Sequence, residues 1–116
     1  VVRKIGAPAR IPVPGGKLID EHVGRVSSGD EAISIAHMVA PPGWEEPPQT
    51  PAFTEYTVVL RGTVIVAHDE GTTLVEAGQS VVTSPGEKVR YSAGPEGAEY
   101  IAVCLPAFSP DGAGRD

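Results

Sequence analysis

Glu55 opens the run Glu55-Tyr-Thr-Val-Val-Leu-Arg-Gly62, a carboxylate at the start of a β-branched stretch that closes on glycine. If that strand lines an apolar interior, desolvation raises the carboxyl pKa and suits Glu55 to proton transfer near neutral pH. An exposed or structurally paired glutamate is the alternative. His37 alternates with Ile33, Ile35 and Val39, so it stands on an otherwise apolar strand face. The opposite face carries Ser34, Ala36, Met38 and Ala40, and the sequence leaves open which of the two faces inward. Tyr91 offers a hydroxyl that would either hydrogen-bond a ligand or pack in a core. Glu99 opens the last strand as a solvated group or as a second carboxylate at a pocket mouth. Trp44, the one tryptophan, and Gln49 sit in a proline-rich stretch able to overhang a cavity. Lys17 could reach an anionic substrate, although exposure is the default for lysine. His22 and His68 read as turn or edge residues. Cys104 is a lone cysteine in an apolar run, hence a buried small hydrophobe without a partner base and without an internal disulfide.

The elements that would position these groups are short strands. The chain has 116 residues, 14 of them Gly and 12 Pro, which favours strands and turns over a helical bundle. Strands are expected over 17–26, 32–40, 54–60, 63–68, 72–76, 80–83, 89–92 and 100–105. Between them, Arg61-Gly62, Asp69-Glu-Gly71, Ala77-Gly78, Ser84-Pro-Gly86 and Ala93-Gly-Pro-Glu-Gly97 read as turns. Thr54–Leu60 is the strongest strand, and on it Thr57 and Val59 share the face of Glu55. Such spacing predicts an all-β, single-domain, small antiparallel barrel. Its expected parts are an N-terminal arm with edge strands at 1–30, a barrel core at 31–106 and a loose tail at 107–116.

The formal net charge is −6 and the nine Lys and Arg are scattered, a pattern unsuited to binding a nucleic-acid duplex. No segment reaches the about 18 to 20 apolar residues of a membrane span. No charged-then-apolar leader opens the chain, so a cytoplasmic setting is expected.

With these residues in order, the chain resembles the cupin superfamily of small jelly-roll barrels. Glu55 with Gly62 fits the end of the first cupin motif, Gly78 through Pro85-Gly86 fits the second, and Pro41-Pro42-Gly43 fits the turn before the first. The resemblance covers about residues 30–106. It implies a functional carboxylate at Glu55 and an inward-facing Val89 and Tyr91. It also implies a metal site that the sequence does not keep. The His-x-His pair of the first motif is replaced by Gln49 and Pro51, or by Pro48 and Thr50, and the second-motif histidine should lie near Val89. Of the usual three histidines and one glutamate, only Glu55 remains.

The resemblance therefore points to a metal-independent lyase, dehydratase or isomerase that needs no cofactor. Its acid–base groups would be drawn from Glu55, His37 and Tyr91, with Trp44, Gln49, Thr57, Val59, Val89, Glu99 and Lys17 contacting a small molecule. The closing run Cys104-Leu-Pro-Ala-Phe108 is similar to the end of a small metal-independent cupin dehydratase acting on a nucleoside aldehyde. A non-catalytic binding cupin is the first alternative. A metal site built from Gln49, Glu55 and an inward-swung His37 is the second. Small cupins often pair through edge strands, so the resemblance also implies a homodimer, its open edge covered by the arm.

Overall fold

The computed structural model describes residues 1–115. Seven strands form one antiparallel sheet that curls on itself: β1 (Ala9–Ile11), β2 (Leu18–Val23), β3 (Ser34–Ala40), β4 (Thr54–His68), β5 (Gly71–Glu76), β6 (Ser80–Thr83) and β7 (Arg90–Leu105). The strand order is β1-β2-β3-β7-β4-β5, and β6 pairs the first half of β4. This is the expected all-β barrel. No helix among the described residues is long and apolar enough to cross a membrane.

Two expected turns are instead bends within long strands. Arg61-Gly62 does not end a strand: β4 continues through it for 15 residues. Likewise Ala93–Gly97 lies inside the 16-residue β7. The halves of β4 and β7 stay paired on either side, from Thr54↔Leu105 to Gly62↔Ala98 and from Val64↔Ala93 to Ala67↔Arg90. Register shifts at Val59/Arg61 and Gly62/Val64 mark bulges that turn both strands around the barrel corner. Gly62 makes the corner possible. Its φ is 73°, and a Cβ there would lie 2.0 Å from the carbonyl oxygen of Gly97. Only glycine admits both the conformation and the approach.

Alternation then sorts the side chains. Val59, Val64, Val66, Val75, Tyr91, Ala93, Ala98, Tyr100 and Ala102 pack inward as the main core. Tyr56, Val58, Leu60 and Val82 point outward and stay exposed.

The tail expected to be loose over 107–116 is instead packed through residue 115, residue 116 lying outside the described residues. Ala107 and Ala113 are buried, and Phe108 packs on Phe53 with ring centres 5.8 Å apart. A helical turn, α1 (Pro110–Ala113), is capped by Ser109, whose hydroxyl accepts the Gly112 N–H. Beyond it, Thr50 N–H donates to the Gly114 carbonyl at 2.8 Å. Phe53, Cys104 and Ala113 form a second small core, so the tail closes one end of the barrel. Apolar residues too few to show a period gave no sign of this.

Candidate functional site

A cavity of about 220 Å³ opens between the tail, the arm and the inner faces of β2, β3 and β7. Its polar lining includes Lys17, Glu21, Ser34, Glu46, Gln49, Glu55 and Arg115, and its apolar lining includes Ala36, Met38 and Phe108. Each position follows from strand parity or from the loops. On β4, Glu55 leads the inward set with Thr57 and Val59, as its alternation requires. On β3 the inward face is Ser34, Ala36 and Ala40, with Met38 against the core. That settles the face the sequence left open, and it turns His37 outward.

Glu55 is the chemical centre. Its Oε2 accepts a long contact from Thr57 Oγ1 at 3.5 Å, and its Oε1 lies 3.8 Å from Cys104 Sγ. Burial, reinforced by the charge of Glu46, raises its pKa from 4.5 to about 7, against the opposing pull of Lys17 and these two contacts. Lys17 is buried rather than exposed, because its ammonium lies 3.9 Å from the centre of the Trp44 ring. Burial lowers its pKa from 10.5 to about 8, while Glu46 and Glu55 act in the other direction. Glu46 is raised by burial and eased by Lys17 and Arg115. The Cys104 thiol is pushed up by burial and by Glu55, so it stays protonated rather than nucleophilic.

The structure separates several residues that the sequence grouped. His37 and Glu99 stand on the outer face, where His37 Nε2 and Glu99 Oε2 are 2.7 Å apart and Arg61 Nε is 3.5 Å from Glu99 Oε1. Neither lines the cavity with Glu55. Tyr91 is buried and feels the charge of Glu55, but its hydroxyl is taken by Thr83 Oγ1 at 2.8 Å. Burial and that charge push its pKa far up, and it belongs to the core with Val59 and Val89 rather than to the cavity wall; Thr57 is likewise buried and away from that wall. Trp44 serves as the platform under Lys17. Gln49 reaches the wall because its backbone pairs with Val89 on one side and bridges to Arg115 on the other.

Glu46, Arg115, Met38 and Phe108 were missed. Prolines around Glu46 erase any alternation, and nothing local in the tail points Arg115 back into the barrel. Glu21 and Ser34 were also missed; Glu21 Oε1 accepts the N–H groups of Val26 and Ser27 and folds the loop after β2.

A divalent metal does not fit this donor set. The cavity wall carries the carboxyls of Glu21, Glu46 and Glu55, an amide and a protonated thiol beside an ammonium, with no imidazole; Glu21 is engaged by backbone N–H groups, and among the described residues no three His, Cys, Asp or Glu converge to hold an ion.

Comparison with known proteins agrees with the barrel. Residues 36–104 match the Cupin domain family. The chain is 38% identical over 102 residues to Endoribonuclease YbeY of Myxococcus xanthus, covering 87% of this chain and 35% of that protein. It thus spans about a third of the length of the curated relative it matches. A protein of unknown function from Rhizobium leguminosarum superposes with a TM-score of 0.66 at 26% identity, over 80% of this chain and 84% of that one. A single-site variant of Bacillus subtilis oxalate decarboxylase gives 0.77 at 19% identity, over 96% of this chain and 31% of that one, and speaks to the fold alone.

Proposed function

Because the chain belongs to the cupin family, we propose that it acts on a small molecule held in the barrel, by metal-free acid–base chemistry centred on Glu55. The observation that carries this reading is that the Glu55 carboxyl and the buried Lys17 ammonium line one cavity, where burial pushes the carboxyl up to about 7 and the amine down to about 8. A group titrating near neutral is present in both protonation states, as a general base that later acts as an acid requires. The Glu55 carboxylate would take a proton from a carbon beside a carbonyl, and the bonding pair would pass onto the carbonyl oxygen. Lys17, charged and shielded from bulk water, would stabilise that oxyanion. In a 2-hydroxy carbonyl compound, passage of the hydroxyl proton to the oxyanion and return of the Glu55 proton to the former carbonyl carbon complete an isomerisation; in a 3-hydroxy compound the pair returns from oxygen, the C–O bond at the next carbon breaks, and Glu55 gives its proton to the departing hydroxyl, which leaves as water. Lys17 thereby takes the place expected of His37 and Tyr91.

Proton washout tests this. Keto acids, hydroxy acids and aldehydes are incubated with the protein in deuterium oxide and their C–H signals followed by NMR. The wild type is expected to exchange at least one of them, and Glu55→Gln to lose at least about 100-fold of that rate. An unchanged rate in the variant removes Glu55 from the mechanism.

A second reading, binding without turnover, is favoured by the buried Gln49 amide oxygen, which has no hydrogen-bond partner among the described residues. A ligand-induced rise in melting temperature with no exchange in any substrate would select it. RNA cleavage, named in that relative, is assigned to neither reading, since the chain is acidic and its cations are scattered. A cytoplasmic setting goes with the lone, unpaired Cys104. Pairing of two copies is supported by the exposed apolar side chains of Tyr56, Val58, Leu60 and Val82.

A further inference from the structure

Two buried side chains on the cavity wall carry polar groups that the described residues leave unanswered. Lys17 is 8% exposed. Its ammonium meets the faces of Trp44 and Tyr100, at 3.9 and 5.3 Å from their ring centres. Among the described residues it has no ion pair or hydrogen bond, and Glu46 and Glu55 act on it only as more distant charges. An aromatic face compensates a buried cation only in part, and an anion is the missing partner. Gln49 is 4% exposed, and its amide oxygen is fully buried with no hydrogen-bond partner among the described residues. A buried carbonyl oxygen of this kind calls for an N–H or O–H donor. Water can answer Gln49, but it cannot supply the charge that Lys17 lacks.

Both side chains line the same cavity, together with Arg115. Ala36, Met38 and Phe108 give that cavity an apolar wall, and its volume of about 220 Å³ falls below that of pockets for drug-sized ligands. The carboxyls of Glu21, Glu46 and Glu55 share the space, so a second negative charge on the occupant would be repelled.

We propose that the cavity binds a small organic monocarboxylate bearing a hydroxyl or amide N–H. The carboxylate is held by Lys17, with Arg115 as the second cation, and the hydroxyl or N–H donates to Gln49 Oε1. This rests on reading the cavity as a small-molecule site, but it does not require Glu55 to transfer a proton. Lys17 and Gln49 are ligand-binding residues in this scheme, and Trp44 positions the ammonium.

The single tryptophan is a built-in reporter, because Lys17 lies on its ring. Glycolate, L-lactate, D-lactate, 3-hydroxybutyrate and N-acetylglycine are titrated at pH 7 in Tris chloride with Trp44 emission as readout. Calorimetry repeats each titration. Propionate, lactamide and inorganic phosphate serve as comparisons lacking the donor, the charge and the single charge in turn. At least one hydroxy or amido acid is expected to saturate with Kd below about 5 mM, and lactamide is not. Lys17→Met should weaken binding at least about tenfold while raising the ligand-free melting temperature by about 4 °C, since a buried unpaired charge is gone. A lysine kept for structure would lower it. Gln49→Leu should weaken the hydroxy acids toward the level of propionate.

The inference is overturned if no acid saturates below about 20 mM. It is equally overturned if phosphate or lactamide binds as tightly as the acids, or if Lys17→Met binds unchanged. Monocarboxylate binding without deuterium exchange in any substrate would uphold this inference and end the proton-transfer reading. Exchange confined to uncharged carbonyl compounds would do the reverse.

Discussion

Replacing Glu55 by Gln removes a titrating group while keeping its shape, and the consequence for stability depends on pH in a calculable way. Below pH 4.5 the carboxyl is protonated in both folded and unfolded chains, so Glu and the neutral amide differ little. Between 4.5 and about 7 the unfolded chain has released the proton that the folded chain still holds. The contribution of Glu55 to stability therefore falls as pH rises through this window, and the variant lacks that contribution. Above 7 the difference is complete and constant. At about 1.4 kcal/mol per pH unit, the full displacement corresponds to about 3 kcal/mol. Glu55 lines the cavity and is not completely buried, so about 2 to 3 kcal/mol is expected in favour of Glu55→Gln at pH 8, or about 8 to 12 °C in Tm. Urea denaturation of both proteins at pH 4, 5.5, 7 and 8 gives the difference directly, with contributions from groups that do not couple to Glu55 cancelling. A difference that stays flat within about 0.5 kcal/mol from pH 4 to 8 would refute the reasoning, because Glu55 would then titrate alike in both states.

Gly62→Ala should cost about 3 kcal/mol or more, since the new methyl would occupy the space of the Gly97 carbonyl and the backbone there is left-handed; a denaturation midpoint equal to wild type would deny the close strand crossing. His37→Gln should leave deuterium exchange and ligand affinity within about twofold of wild type, because the ring faces away from the cavity toward Glu99. A tenfold loss in either would return His37 to the site. Glu21→Ala should cost about 2 kcal/mol, because it strands the amides of Val26 and Ser27, and thermal unfolding reads the loss.

The barrel was legible because its strands obey a period of two and its turns use glycine and proline. Glu55, Thr57 and Val59 were correctly placed on one face by parity alone. The corner at Gly62 was misread as a turn because a glycine that ends a strand and one that bends it look alike locally. Only the partner at Gly97, 35 positions away, distinguishes them. His37 was assigned by the company of Ile33, Ile35 and Val39, yet that apolar row faces outward and the smaller Ser34, Ala36 and Ala40 face in. The inner wall is built from small residues because a cavity needs room, which reverses the usual rule that the larger apolar row is buried. Lys17 looked exposed because no sequence signal pairs it with Trp44, 27 positions on. Arg115 lay in a tail whose anchors, Phe108 and Ala113, are too sparse to read as a pattern.

The central claim is that the barrel interior holds a carboxyl group poised near neutral pH. Carbon-13 NMR of the glutamate carboxyl signals, with Glu55→Gln supplying the assignment, measures it directly across pH 3 to 9. A midpoint near 7 for Glu55 is the expected result, and a midpoint between about 4 and 5, the range of an ordinary solvated glutamate, would contradict the account.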